Sequence, residues 1–79
     1  MLSKHSVSIR GHRTSFSLED EFWNELQRIA IGKGLPVARM ITEIDSSRQL
    51  GQNLSSALRV FVLKHALARN SDDKPDENS

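Results

Sequence analysis

The chain has 79 residues, 37% of them hydrophobic, so it can form one small domain with a marginal core. It contains no cysteine, which excludes disulfides and thiolate zinc sites and leaves oligomerisation as the expected source of added stability. The formal net charge is +1, and no stretch is as apolar as a signal peptide or a membrane span, so we expect a soluble cytoplasmic protein.

Charge is distributed unevenly along the chain. Residues 1–18 hold Lys4, Arg10 and Arg13 and no acid. Residues 71–79 have a net charge of −3 and no apolar residue, which predicts a disordered acidic tail. The predicted divisions are therefore an N-terminal arm or strand extension over 1–11, a folded domain over 12–70, and the tail over 71–79.

The first regular element predicted is a short strand, because the sequence RTSFSL from Arg13 to Leu18 alternates polar and bulkier residues. The inward face then holds Thr14, Phe16 and Leu18, and the outward face holds Arg13, Ser15 and Ser17. No second segment of the same quality is evident, and a strand with two unpaired edges is unstable. We therefore expect it to pair antiparallel with its own copy in a homodimer; folding back within one chain would remove this two-chain ribbon.

The residues before this strand allow two interpretations. Val7 and Ile9 are apolar at odd positions, whereas the inward positions of the strand are even. A bulge or bend at Gly11 can reconcile the two patterns and place Ser8 and Arg10 on the outer face beside Arg13. Alternatively, the ribbon begins near His12 and the preceding residues form a mobile arm.

Two helices are predicted to follow the strand directly. Helix A covers residues 19–33, with acids in its first turn and a stop at Gly34. Helix B covers about 36–48, with Pro36 at its first position. Their apolar faces are formed by Leu18, Phe22, Leu26, Ile29 and Ala30 in helix A and by Val37, Met40, Ile41 and Ile44 in helix B. Trp23, beside the first face, is expected to pack in the core or at a dimer contact.

Helix C is predicted from a cap at Asn53 or Ser55 to about Arg69. Its apolar residues, which include Leu58 and Phe61, are spread around most of the circumference, and a helix of this kind is normally covered on several sides. A partner chain would provide that cover. The alternative is that helix C fills the core of its own chain and leaves residues such as Val60 or Leu67 exposed.

These features resemble the ribbon-helix-helix family of small bacterial DNA-binding proteins, typified by the Arc and methionine repressors. The resemblance covers roughly Arg13 to Asp45, with the strand RTSFSL, the helix EDEFWNELQRIAIGKG, the turn at Gly34-Leu35 and the apolar stripe beginning at Val37. The segments GHRTSFSLEDEFW and NLSSALRVF are similar to a subgroup with an additional C-terminal helix. The implied fold is mostly α, with one short β-strand, paired in a homodimer, and a third helix.

The resemblance implies sequence-specific binding of double-stranded DNA by a ribbon in the major groove, and a role in transcription regulation. Carried over by position, Arg13, Ser15 and Ser17 would read bases. Phosphate contacts are expected from Lys4, Arg10, Pro36, Val37 and Ala38. Pro36 lacks an N–H, which removes one possible phosphate donor. The dimer core is expected to contain Phe16, Leu18, Phe22, Leu26, Ile41, Ile44, Leu58 and Phe61.

The remaining motifs point to no catalysis and no cofactor. His5, His12 and His65 lack metal-ligand spacing and are expected to be surface or interface residues. Ser55 and Ser56 have no identifiable base and orienting partner, so we expect a helix cap and not an enzyme. An alternative function is a protein-interaction module, antitoxin-like or an adaptor, in which residues 53–79 contact a protein partner and the ribbon serves only dimerisation.

Overall fold

The structure is a computed structural model that describes residues 1–73, with side chains described for residues 1–69. In chain order, its elements are β1 (Leu2–Ile9), β2 (His12–Glu19), α1 (Asp20–Lys33), α2 (Val37–Ser47) and α3 (Leu54–Asp73). The mostly helical fold is confirmed, and the three predicted helices lie close to their predicted positions.

The N-terminal residues form a β-hairpin, which corrects the prediction of a single strand. β1 pairs with β2 in antiparallel register, from Leu2 opposite Glu19 to Ile9 opposite His12. β2 therefore pairs with the preceding segment of the same chain and not with a second copy of itself. Residues 2–9 are thus neither a mobile arm nor an extension across a bulge at Gly11, and both strands of the ribbon come from one chain.

The turn of the hairpin consists of Arg10 and Gly11. Their φ angles are 54° and 81°, so both central residues adopt left-handed conformations, as in a type I′ turn. Glycine adopts this conformation freely, whereas an L-residue with a side chain loses about 1–2 kcal/mol there. The Arg10 guanidinium donates a hydrogen bond to the Ser46 hydroxyl, which ties the turn to the end of α2.

The core lies between the inner face of the hairpin and the three helices. Six of the residues predicted for the dimer core are buried within the single chain, and Phe22 and Phe61 pack partly buried against them. The six are Phe16, Leu18, Leu26, Ile41, Ile44 and Leu58. A second chain is therefore not needed to bury them, because β1 and α3 supply the missing cover.

The helix ends follow from local residues. Gly34, at a φ of 71°, ends α1, and the N–H groups of Gly34 and Leu35 donate to the carbonyls of Ile31 and Ala30, both at 3.0 Å. Pro36 is the N-cap of α2 and lies one position before its predicted place. Asn53 caps α3, because its side-chain oxygen accepts the Ser56 N–H at 2.8 Å.

α3 begins as predicted but continues to Asp73, so the first residues of the predicted tail are helical and residues 74–79 lie outside the described residues. Leu54, Ala57, Leu58 and Val62 are buried in the core of the same chain. This corresponds to the second interpretation of helix C, in which the chain fills its own core. Within residues 1–73, none of the helices has the length and apolar character needed to span a membrane.

Candidate nucleic-acid interface

The outer face of the hairpin presents a continuous polar surface. In a register where Ile9 lies opposite His12, even positions of β1 share a face with odd positions of β2. We call the middle of this face the polar row. Its members, in cross-strand pairs, are Lys4 with Ser17, Ser6 with Ser15, and Ser8 with Arg13.

The structure places all three predicted base-reading residues in the polar row, and their role on DNA stays a prediction. Arg13 and Ser15 are exposed, and Ser17 is half-buried. β1 supplies the neighbours that a second copy of β2 was expected to provide. Of these, Ser8 was expected on the outer face only with a bulge at Gly11, and Ser6 was not predicted there, although its alternation with Val7 and Ile9 was the available signal.

The middle of the polar row is made of short side chains. The hydroxyls of Ser6 and Ser15 lie 3.3 Å apart and hydrogen-bond across the strands. Lys4 and Arg13 stand at opposite ends, four residues apart in register, which corresponds to about 13 Å along a strand. The serines therefore allow close approach of a flat ligand while the two cations flank it.

One carboxylate, Glu19, lies at the open end of this face, and an arginine neutralises it. Arg59 of α3 donates to both carboxylate oxygens of Glu19, at 2.8 and 3.2 Å. The hydrogen bond from Arg59 holds the pKa of Glu19 below its ordinary value. An approaching anion is therefore not opposed by a free carboxylate at that end.

α3 also covers part of the outer edge of β2. The Ser55 hydroxyl donates to the main-chain carbonyl of Ser17 at 2.7 Å, next to the Arg59–Glu19 pair. A second copy of β2 pairing along this edge would need the same carbonyl for its ladder. The contact explains how α3 fixes the hairpin on the helices.

An aromatic cluster lies on the inner face of the hairpin, behind the polar row. The His5 ring stacks on Trp23 of α1, with ring centroids 4.0 Å apart and an interplanar angle of 16°, and contacts Phe16 at 5.6 Å. His5 Nε2 is buried without a hydrogen-bond partner among the described residues. Trp23 thus packs against the core, as expected, and does not lie on the outer face.

The predicted phosphate contacts fall into two groups. Arg10 and Lys4 lie at the turn and on the outer face of the hairpin. Pro36, Val37 and Ala38 lie at the start of α2, whereas the Arg10–Ser46 contact brings the other end of α2 to the hairpin. Val37 and Ser46 are nine positions apart, which is about 14 Å along a helix, so this second group lies that far along α2 from the Arg10–Ser46 contact.

A groove of about 530 Å³ lies between α2 and α3. Its lining includes the apolar residues Met40, Ile44, Val60 and Phe61 and no residue of the hairpin, so it is separate from the polar row. No cluster of potential metal ligands occurs in the described part of the chain.

A family model described as a ribbon-helix-helix domain matches residues 2–66. The match includes β1, which the resemblance noted in the sequence did not cover, and most of α3. Comparison with curated proteins and with solved structures found no match.

Proposed function

Because the chain belongs to the ribbon-helix-helix family, we propose that it binds double-stranded DNA sequence-specifically through the polar row and acts as a transcriptional regulator. Domains of this family typically dimerise, bind DNA and lack enzymatic activity. The single observation that carries the proposal is the outward-facing row of two cations and four serines on the hairpin, with no free carboxylate among them.

The dimensions and chemistry of the polar row suit a major groove. The groove of B-DNA is about 12 Å wide and admits a two-stranded ribbon, whose strands are about 4.8 Å apart. Arg13 is long enough to donate two hydrogen bonds to guanine, and Ser15 and Ser17 can donate to or accept from a base edge. We assign these three residues to base reading.

Cations around the row are assigned to the phosphate backbone. Lys4 stands at the open end of the row and Arg10 at the turn, so they flank Arg13 on the two sides. Phosphate contacts fix the position of a ribbon without reading sequence. At the start of α2, the Pro36 carbonyl accepts the N–H groups of Arg39 and Met40, which leaves the N–H groups of Val37 and Ala38 as the proposed donors to phosphate.

The test is selection of duplexes from a randomised library, followed by titration of the selected duplex with Arg13→Ala. We expect affinity to fall by roughly 5- to 150-fold, because a bidentate arginine–guanine contact contributes about 1–3 kcal/mol of discrimination. Repeated selection with the variant should show relaxed preference at one base position.

The matched control is Arg28→Ala, which removes the same charge from the exposed surface of α1, away from the hairpin. It should leave base preference unchanged. The proposal fails if Arg13→Ala binds the selected duplex as tightly as the wild type, or if heparin competes as well as the duplex.

A further inference from the structure

The groove between α2 and α3, which we call the α2–α3 groove, has the size of a small-molecule site. Its volume is about 530 Å³, and pockets for small ligands commonly measure about 300–1,000 Å³. On each helix the lining extends over seven positions, from Met40 to Ser47 and from Ala57 to Lys64, which corresponds to about 10 Å of helix. A partner helix of average length, about 17 Å, would extend well beyond it.

The middle of the α2–α3 groove is apolar. Met40, Ile44 and Ala57 are at most 8% exposed and form its floor. Val60 is 41% exposed and Phe61 is partly buried, so both leave apolar surface open to the groove. Covering this surface with an apolar molecule is favourable, because it removes hydrocarbon from water.

One end of the groove carries a charge that is already compensated. This end lies where the loop after α2 leads into α3, and it is lined by Arg48, Gln49 and Gln52. The Arg48 guanidinium donates to the Asp45 carboxylate at 2.6 Å and to the main-chain carbonyl of Gln52. This end therefore offers mainly amide groups to a ligand.

The opposite end of the groove is cationic. Lys64 is the last lining residue along α3, and Lys33, at the end of α1, lies near it, because Lys33 also lines a neighbouring cavity with His65. Neither lysine forms an ion pair with another described residue. The carboxylate in the lining, that of Glu43, is paired with Arg39 at 3.6 Å. Two ammonium groups are therefore available to an anion at this end.

The neighbouring cavity extends the positive charge beyond Lys33. Its volume is about 260 Å³, and its lining includes Arg28, His65 and Arg69. Arg28 is held by the Glu25 carboxylate at 2.7 and 2.9 Å, so the added charge comes from Arg69 and from His65 when it is protonated. Cations gathered along one cleft attract anions to it.

We propose that the α2–α3 groove binds a small organic anion with an apolar body, such as an alkyl or aryl carboxylate. The carboxylate accepts hydrogen bonds from the ammonium groups of Lys33 and Lys64. The apolar body lies over Ile44, Val60 and Phe61. A neutral apolar molecule would leave the two lysines without a partner, and a small inorganic anion would leave the apolar walls uncovered, so a molecule with both parts fits best.

The proposal does not depend on DNA binding, because the lining contains no residue of the hairpin. Its test is titration of the full-length protein with octanoate at neutral pH, without DNA, followed by NMR of the backbone amides. We expect saturable shifts concentrated at lining residues such as Ile44 and Phe61. Octanol has the same chain without the charge, and acetate has the charge without the chain, so each should bind more weakly. Absence of saturable shifts with octanoate, or equal binding of octanol, would overturn the proposal.

The cationic end is tested with Lys64→Gln and Lys33→Gln, which remove charge from exposed side chains and leave the fold intact. Each should weaken octanoate binding by roughly 2- to 5-fold, as expected for an exposed ion pair, and leave octanol binding unchanged. The matched control is Lys4→Gln, which removes the same charge from the polar row and should bind octanoate like the wild type. Wild-type affinity in a variant with both groove lysines replaced would contradict the proposal.

The apolar wall is tested with Val60→Ser, which should weaken octanoate binding. Its control is Leu63→Ser, at a similarly exposed position outside the lining, which should have no effect. Octanoate-induced shifts that are as large at Leu63 and Leu67 as in the groove would mean general adsorption and would overturn the proposal. So would shifts of the lining residues on concentrating the protein alone, because a second copy would then fill the groove. Arg13→Ala should bind octanoate normally, so failure of DNA binding and failure of this site can be told apart.

Discussion

The outer face of the hairpin and the outer face of α3 are both solvent-facing sides of elements that pack on the core, but their chemistry is opposite. Each lies on an element whose other face enters the common core, and each is exposed in the single chain. The polar row offers cations and hydroxyls, whereas the outer face of α3 offers the aliphatic side chains of Val60, Leu63 and Leu67. A hydrated, charged ligand suits the first surface and an apolar one suits the second, so their interactions should respond differently to mutation, salt and pH.

The largest expected effect comes from comparing the two faces of α3. Leu58 is completely buried and Leu63 is about half exposed. Leu58→Ala should lower the free energy of unfolding by roughly 2–5 kcal/mol, because it removes buried methyl groups and leaves a cavity. Leu63→Ala should change the stability of the dilute monomer by no more than about 0.5 kcal/mol. Urea denaturation at low protein concentration would measure both values, and equal losses would contradict the two-faced description.

The buried positions of the helices can be predicted from the sequence. Helical periodicity identifies which residues share a face, so the sequence pattern alone assigns Leu26, Ile41 and Leu58 to a core, and all three are buried. What the pattern does not specify is which chain supplies the cover. Six of the residues predicted for a dimer core lie in the core of the single chain, and a place for them in a dimer stays a prediction.

The next largest effect should be that of salt concentration on DNA affinity. If the polar row binds phosphates, the logarithm of DNA affinity should fall linearly with the logarithm of salt concentration, with a slope of about −0.9 per phosphate neutralised. Lys4→Ala should weaken binding to all sequences and reduce that slope by about one. Anisotropy titrations at a series of salt concentrations test this, and an unchanged slope in Lys4→Ala would remove Lys4 from the phosphate contacts.

The hairpin was the main error of the sequence interpretation, although its signal is present. The apolar residues Val7 and Ile9 lie at odd positions, whereas Phe16 and Leu18 lie at even positions, and this difference suggested a bulge. In a hairpin with a two-residue turn at Arg10 and Gly11, however, each odd residue of β1 faces an even residue of β2, as in His5 opposite Phe16. The change of parity is thus what such a hairpin requires. Arg-Gly was not recognised as the turn because Asn-Gly and Asp-Gly are the usual pairs.

The turn provides a test in which folding and binding change in opposite directions. Arg10 has a positive φ, and asparagine adopts that conformation at lower cost. Arg10→Asn should therefore keep or raise stability, by up to about 1 kcal/mol or roughly 4–8 °C in Tm, even though the contact to Ser46 is lost. If Arg10 contacts phosphate, the same variant should bind DNA more weakly. Calorimetry and DNA titration on one sample measure both, and a lower Tm would show that the Ser46 contact outweighs the backbone strain.

The smallest expected effect is the pH dependence of the contact between α3 and the hairpin. Arg59 lowers the pKa of Glu19 in the folded chain below the ordinary value of 4.5, so the folded state binds fewer protons than the unfolded state in this range. The stabilisation is therefore complete above the ordinary pKa and is lost as the pH falls through the lower, folded value. Arg59→Gln should be less stable than the wild type at neutral pH, and the difference should disappear in acid.

Arg28→Gln is the matched control for this pH effect, because Arg28 likewise lowers the pKa of Glu25, but both residues lie on α1. In both pairs each side chain keeps about a third or more of its surface exposed, so the two stability differences should be small and should decline over a similar acidic range. Only Arg59→Gln should also increase hydrogen exchange at the N–H groups of Phe16 and Leu18, which lie opposite His5 and Ser3 of β1, since of the two ion pairs only this one joins α3 to β2. Equal exchange in the two variants would mean that Ser55, and not Arg59, holds the end of the hairpin against α3.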